Sequence, residues 1–442
     1  MTEKYFESSF GLLGYSHDRT AANGVVMGSR KNEERNLPPA SLIGPMGEWV
    51  CSAAPYTEVD PAALLVTTLV SVGAILGRRP HLWAGDARQS ASLFAVVVAM
   101  TPKANRGLSW IITRRLIEII EPNFAQHQVA TGLGDDKALL EALRSTTLYS
   151  KRLNVSSVDD FYDAPRVLVH DPGFVRTLGN SGRSKSEISR LLRHGWDGVP
   201  LELRQGRVRI ERHHIGIVAH GTFDQLVQEL SMKAASAAFL NRFIIVVARR
   251  QPLVVDEGYV PFELVEKFGS ILRNNLTQAR SFTVMERTAE AEERWHEYYR
   301  ELASYDPGGL IGILLARSTR QVLRMSLIYA CAEASERIEL RHIEAAVALW
   351  EYCRWSAEIL ASGTPSVVGD LEEDLYEAIA ASGVRGLTLS EQHDYFGRNV
   401  SAARLRSARH ELEMAGKITS TLERRSDAGR KVTVSRVSSP NL

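Results

Sequence analysis

Three cysteines in 442 residues, Cys51, Cys331 and Cys353, are too few and too widely spaced for a disulfide scaffold or a zinc knuckle. They fit a reduced compartment, so a cytoplasmic location is expected. An excess of one charge is missing as well. The 53 Lys and Arg nearly equal the 52 Asp and Glu, so bulk attraction to nucleic acid is excluded and any basic footprint must be local. No apolar run reaches the roughly 20 residues of a membrane-spanning helix. The longest, residues 61–77, contains Thr67, Thr68 and Ser71 and is followed by Arg78 and Arg79. It reads as a buried core helix with Asp60 as N-cap and Pro61 at its first position. A basic-then-apolar leader is not seen at the N-terminus, and no membrane association is expected. Neither an internal repeat nor a Ser/His/Asp or Cys/His arrangement emerges. His213, His214 and His220 make no metal signature, so no metal-ion site built by protein ligands alone is expected.

What is present is the composition of a globular protein, 44% hydrophobic and 24% charged, on a chain long enough for two or three domains. Residues 1–36 mix Gly, Ser, Asn and charge without periodicity and read as a flexible tail. Residues 37–255 alternate helical segments with short apolar strands, the clearest at 93–98, 165–171, 213–221 and 242–250. That alternation predicts an α/β fold, a parallel sheet with helices on both faces. Residues 256–362 have helical period almost throughout and are expected to form a helical segment packed on the core. A linker, "SGTPSVVGD", precedes a last unit at 370–442. Three helices followed by a two-stranded ribbon with the tip "RRSDAG" spell a winged helix.

Within the α/β region, "LFAVVVAMTPKANRGLSW" places an apolar strand, a short basic loop and a helix in succession. This is the architecture of a phosphate-binding P-loop, in which backbone N–H groups surround phosphate oxygens, a Lys reaches the β/γ-phosphates and a hydroxyl helps hold Mg²⁺. The spelling Gly-Lys-Ser/Thr is absent, and Ala99 or Met100 holds the place of the leading Gly. From these residues alone, a plain strand-to-helix turn and a phosphate loop both stand. The candidate nucleotide contacts are Thr101, Lys103, Arg106, Gly107 and Ser109.

The runs "TEVDPAALLVTTLVSVGAILGRRPHLW", "SLFAVVVAMTPKANRGLSW", "ISRLLRHGWDGVPL", "HHIGIVAHGTFDQL", "AAFLNRFIIVVARR", "ALWEYCRWSAEIL" and "LTLSEQHDYFGRN" resemble, in collinear order, a helicase-like family of actinobacterial plasmids, prophages and primase–helicase fusions. The resemblance implies a RecA-like NTPase core, similar to hexameric replicative helicases, with a C-terminal winged helix. ATP and Mg²⁺ are the implied cofactors. The family's loop usually reads Gly-x-Thr-Ser-Lys-Ala-Arg-Lys-Gly-Thr-Ser-Trp. Thr101, Lys103, Ala104, Gly107, Ser109 and Trp110 match it, whereas Ala99, Arg106 and Leu108 replace a Gly, a Lys and a Thr. Ala99 adds a Cβ where backbone approaches phosphate, Arg106 offers a planar fork instead of a point charge, and Leu108 removes a hydroxyl. Ser109 is the substitute for that hydroxyl. Where relatives end a strand in Glu-Pro-Glu-Phe, this chain has Asp171, Pro172, Gly173 and Phe174, and Lys137 stands in place of a Glu. Asp171 keeps a carboxylate for Mg²⁺ through water, while Gly173 lacks one that orients the attacking water. The departures together imply a degenerate site with lost or reduced hydrolysis.

Two readings stand for Arg242 of "LNRF": an arginine finger acting across subunits, or an Arg pairing with a carboxylate at a strand start. His220, at the end of its strand, is either a polar sensor or a satisfied structural His. With Asp171, Arg242 completes the catalytic candidates.

The winged helix carries the DNA-binding candidates Arg398, Arg404, Arg409, Arg424, Arg425, Arg430 and Lys431. Between residues 383 and 437, eleven Arg and Lys face six Asp and Glu, a local excess in a nearly neutral chain. Such residues suit phosphate contacts, which position a protein without reading sequence. Helical spacing sets Arg404 and Arg406 about 200° apart, so not all of them address one groove. A second basic run, residues 183–198, joins Arg183, Lys185, Arg190 and Arg193 to Trp196, either as a channel-facing element for single-stranded DNA or as surface charge over a packed Trp. The expected function is a DNA-binding, oligomerising scaffold, as in a hexameric ring, serving a mobile-element process such as replication. An active ATP-driven helicase or translocase is the first alternative, and a sequence-specific regulator or replication initiator the second.

Overall fold

The computed structural model describes residues 35–100, 107–133, 139–144, 164–181, 187–202, 209–232, 239–249, 251–254, 258–363, 368–395, 402–424 and 431–438. Nearly all of the proposed tail lies outside them. After a short hairpin, β1 (His81–Ala84) and β2 (Ala87–Ser90), the chain builds a five-stranded sheet from β3 (Phe94–Ala99), β4 (Val129–Thr131), β5 (Arg166–Asp171), β8 (His214–Thr222) and β9 (Phe243–Ala248). Between β5 and β8 lies a small hairpin, β6 (Leu201–Glu202) and β7 (Arg209–Ile210). The five strands are all parallel, in the order β4-β5-β8-β3-β9. The apolar runs read from sequence are thus strands, each within a residue or two of its expected bounds. β4 is too short and too exposed to show a pattern.

Helix Pro61–Leu76 is buried at every position after Pro61, and Asp60 caps it as expected by accepting from Ala62 N at 2.8 Å. Its backbone comes close to the sheet through small residues. A Cβ on Gly216 of β8 would meet the Ala74 Cβ at 2.8 Å, and one on Gly73 would meet the Ala91 carbonyl oxygen at 2.4 Å. His214 Nε2 donates to the Gly73 carbonyl across the same contact, at 2.8 Å.

β9 is an edge strand, yet all six of its residues are buried. Helix Leu340–Ser362 covers the edge and also satisfies it: Tyr352 Oη donates to Val247 O at 2.7 Å, and Val247 N donates to Ser356 Oγ at 3.2 Å. An open row of backbone groups would otherwise invite strand pairing by another chain. Helices Phe262–Ala279, Ser318–Ala332 and Leu340–Ser362 share one continuous hydrophobic core with the sheet.

The last unit has a core of its own, Leu375, Ile379, Leu405, Ala408, Leu412 and Ile418. Its order is helix Val368–Ala381, strand β10 (Leu387–Thr388), helices Leu389–Tyr395 and Ala402–Met414, and hairpin β11 (Ile418–Glu423) with β12 (Val432–Val437). β10 adds a third strand to the expected ribbon, in the antiparallel order β10-β12-β11. "TLSE" makes a capping box at the second helix: Thr388 N donates to Glu391 Oε2 at 2.8 Å, and Glu391 N to Thr388 Oγ1 at 3.2 Å.

Candidate functional site

The connection from β3 runs to β4 on one side of the sheet, while that from β8 crosses β3 to reach β9. Adjacent strands whose connections leave in opposite directions open a crevice at their C-terminal ends, where ligands bind in open α/β sheets. The register places Ala99, Thr222, Asp171 and Ala248 along this one edge. β3 ends at this same edge, and helix Leu108–Ile120 begins beyond the loop that follows it. Thr101, Lys103 and Arg106 lie outside the described residues.

Helix Leu108–Ile120 starts at the crevice with Gly107 as N-cap, no side-chain cap and no acidic residue in its first turn. Its first N–H groups carry the partial positive charge of a helix N-terminus, and Gly107 has no side chain to cap them. Gly107 has φ −75°, and a Cβ there would meet nothing within 4 Å, so the backbone does not itself demand glycine.

Ser109 does not serve as a hydroxyl facing the crevice. It is 0% exposed and shares the buried face of its helix with Ile112, Thr113 and Leu116, and Thr67 Oγ1 donates to its Oγ at 3.2 Å. Helical period alone puts residues 109, 112, 113 and 116 on one face, a signal already present in the sequence. Asp171 stands at the crevice but is likewise engaged. Gly173 N donates to Oδ1 at 3.1 Å and Thr177 Oγ1 to Oδ2 at 2.7 Å, so the carboxylate starts helix Phe174–Ser181. The side chain is only 3% exposed.

One group at this edge was not foreseen. Trp110, in the first turn of helix Leu108–Ile120, stacks on His170 of β5 with ring centroids 4.4 Å apart and planes 9° from parallel. His170 Nε2 lies 3.2 Å from His220 Nδ1 on β8, which pairs the buried His220 with the half-buried His170. Burial pushes His170 down to about 4, so at neutral pH its ring is uncharged, and this layer ties the loop-bearing helix to β5 and β8.

Arg242 is not with these residues. It precedes β9 at the N-terminal edge, a six-residue strand or roughly 20 Å from the crevice. Its side chain is 8% exposed and donates to Asp197 Oδ2 at 2.9 Å and to Asn241 Oδ1 at 3.2 Å. An arginine finger must project from its own subunit. The strand-start ion pair, the other reading of this residue, is the arrangement found. Trp196 is also buried, so it packs in the core and is not a platform for bases. In the same run Arg190 pairs with Glu187 at 2.7 Å, and Arg183 and Lys185 lie outside the described residues.

In the C-terminal unit, Arg398, Arg425, Arg430 and the side chain of Arg404 lie outside the described residues. Arg409 is largely covered, with Nε 3.7 Å from Glu413 Oε1. Arg424 and Lys431 are exposed at the two ends of the hairpin loop, and Arg406 is exposed on helix Ala402–Met414. Arg436 is tied to Glu423 at 2.7 Å.

Among the described residues little is open to Mg²⁺ at the crevice: the Ser109 hydroxyl is turned inward, and Asp171, 3% exposed, already accepts one hydrogen bond on each oxygen. Among the described residues no group of three His, Cys, Asp or Glu is placed to hold a metal ion, and no helix is long and apolar enough to cross a membrane. Together these features define a mixed α/β protein with a five-stranded parallel sheet and, at its C-terminal edge, a crevice where the described Ser109 and Asp171 side chains are hydrogen-bonded within the fold.

No family model matches the chain, and no curated protein does. Among solved structures it is similar to a full-length MCM homolog from Methanopyrus kandleri, with 15% sequence identity and a TM-score of 0.38. The similarity covers 74% of this chain and 63% of that one. A likeness this loose carries no argument about activity.

Proposed function

We propose that this chain is a DNA-associated, helicase-like scaffold with a degenerate nucleotide site. One observation carries the reading: Ser109 and Asp171, the two described side chains suited to Mg²⁺, are spent on helix packing and helix initiation. A RecA-like sheet that keeps its crevice but commits these groups retains the architecture of nucleotide binding without its chemistry. The element order of the C-terminal unit supports a winged helix, with Arg424 and Lys431 flanking a wing that also carries Arg425 and Arg430. Such a unit contacts phosphates and positions the protein on DNA. Self-assembly, as in a ring of six, and a role in mobile-element replication complete the proposal.

The test is ATP turnover by the purified protein, with and without single-stranded DNA, beside Arg106→Ala and Asp171→Ala. The expected result is no turnover, with DNA binding that weakens steeply as salt rises and does not depend on sequence. DNA-stimulated phosphate release lost in both variants would overturn the scaffold and establish an ATP-driven translocase. Binding restricted to one sequence would instead establish a regulator or initiator.

A further inference from the structure

At the edge of the sheet opposite the crevice lies a cavity of about 520 Å³, between the β1–β2 hairpin, the end of helix Ile188–Asp197 and helix Ser318–Ala332. Five guanidinium groups line it, those of Arg78, Arg88, Arg317, Arg320 and Arg324, against two carboxylates, Asp86 and Asp197. The carboxylates do not balance the cations. Asp197 already binds Arg242 at 2.9 Å and reaches Arg320 only at 3.9 Å.

The arginines divide into those the fold uses and those it does not. Arg324 is 3% exposed and donates to Gln89 Oε1, Ser92 O and Trp196 O at 3.1, 2.8 and 2.9 Å, with its guanidinium 3.7 Å from the centre of the Trp196 ring. Arg88 donates to the Arg78 carbonyl at 2.7 Å. Arg78 and Arg317 have no hydrogen-bond acceptor among the described residues, and Arg317 packs on Trp196 at 5.7 Å. Burial and the neighbouring Arg88 and Arg212 push the Arg78 guanidinium down to about 10, and burial pushes Arg324 down to about 9. Converging cations short of acceptors are costly to hold together unless an anion joins them.

We propose that this cavity is an anion site that takes an oligophosphate group through Arg78, Arg317 and Arg320, with Arg324 and Trp196 as its rigid floor. The volume suits a nucleotide-sized ligand rather than a length of chain. Planar guanidinium forks with free donors match phosphate oxygens two at a time. Two sources supply this chemistry: the phosphates of a free nucleotide, and the phosphorylated end of a nucleic-acid strand. The site is separate from the crevice, and ATP turnover plays no part in its readout.

Calorimetric titration in magnesium-free buffer tests it, using inorganic pyrophosphate, ADP, and one single-stranded oligonucleotide with and without a 5′-phosphate. The intact protein is expected to bind pyrophosphate, and Arg78→Gln and Arg317→Gln each to weaken that binding about tenfold or more. Melting of the ligand-free variants is the second measurement. Because Arg78 has no described acceptor and is repelled by Arg88 and Arg212, Arg78→Gln should melt no lower than the parent, while Arg317→Gln gives up only its packing on Trp196 and should melt close to it. A preference for the 5′-phosphorylated strand assigns the site to a chain end. Binding of pyrophosphate and ADP without that preference assigns it to a free nucleotide. Equal affinity in parent and variants, or no binding of any phosphate probe at millimolar concentration, overturns the proposal.

Discussion

At the C-terminal edge of the parallel sheet the described Ser109, Asp171 and His170 side chains are already engaged, whereas among the described residues at the N-terminal edge the cations outnumber their partners. Asp171 starts a helix, Ser109 accepts from Thr67, and His170 is stacked and neutral. Across the sheet, Arg78 and Arg317 line a cavity without an acceptor among the described residues, beside a carboxylate that Arg242 has claimed. The contrast teaches that a site is marked less by its location in a fold than by what its groups have left to give. A polar group whose hydrogen bonds are internal adds stability. A buried charge lacking them holds free energy that a ligand can release.

The largest effect should come from Arg324→Met. It leaves Gln89, Ser92 O and Trp196 O without their donor, and urea unfolding should show a loss of roughly 3 kcal/mol or more. An unchanged midpoint would mean that Arg324 belongs with the unused charges, and the division between floor and ligand groups would fail.

Next comes acid. Burial holds His214 down to about 3 and both His213 and His170 down to about 4, so all three are neutral in the fold, while the unfolded chain protonates near 6.5. Stability is therefore full above about pH 6.5 and falls as the pH drops toward 4, with His214 alone contributing about 3 kcal/mol of that loss. Denaturation midpoints between pH 7 and 4 measure it, and His214→Asn should flatten the slope. A slope unchanged in that variant would assign the acid sensitivity to His213 and His170 instead.

Asp171→Ala should cost about 1–2 kcal/mol, because Gly173 N and the Thr177 hydroxyl lose the acceptor that organises the helix start. This is the sharpest test of the crevice: thermal melting that does not move would show the carboxylate to be available for other work.

Much of the fold was legible in the residues. The runs 93–98, 165–171, 213–221 and 242–250 are too apolar to be anything but buried, and their shortness between helical segments makes them strands. Asp60 and Pro61 announce a helix start, and "TLSE" announces another. The inward turn of Ser109 was legible too, since it follows from helical spacing with Ile112, Thr113 and Leu116. The role of Arg242 was not, because its partner Asp197 is 45 residues away and nothing local pairs them.

The sequence by itself determined the strands, the capped helices, the basic bias of the C-terminal unit and the strand–loop–helix at residues 93–110, because each depends on neighbours one to four positions apart. Only the tertiary structure decided which edge of the sheet keeps unpaired charge. Arg78, Arg88, Arg317, Arg320 and Arg324 come from two segments more than 200 residues apart, and each alone reads as an ordinary surface arginine. Their meaning lies in convergence on one cavity with too few carboxylates, a long-range property that no local pattern encodes.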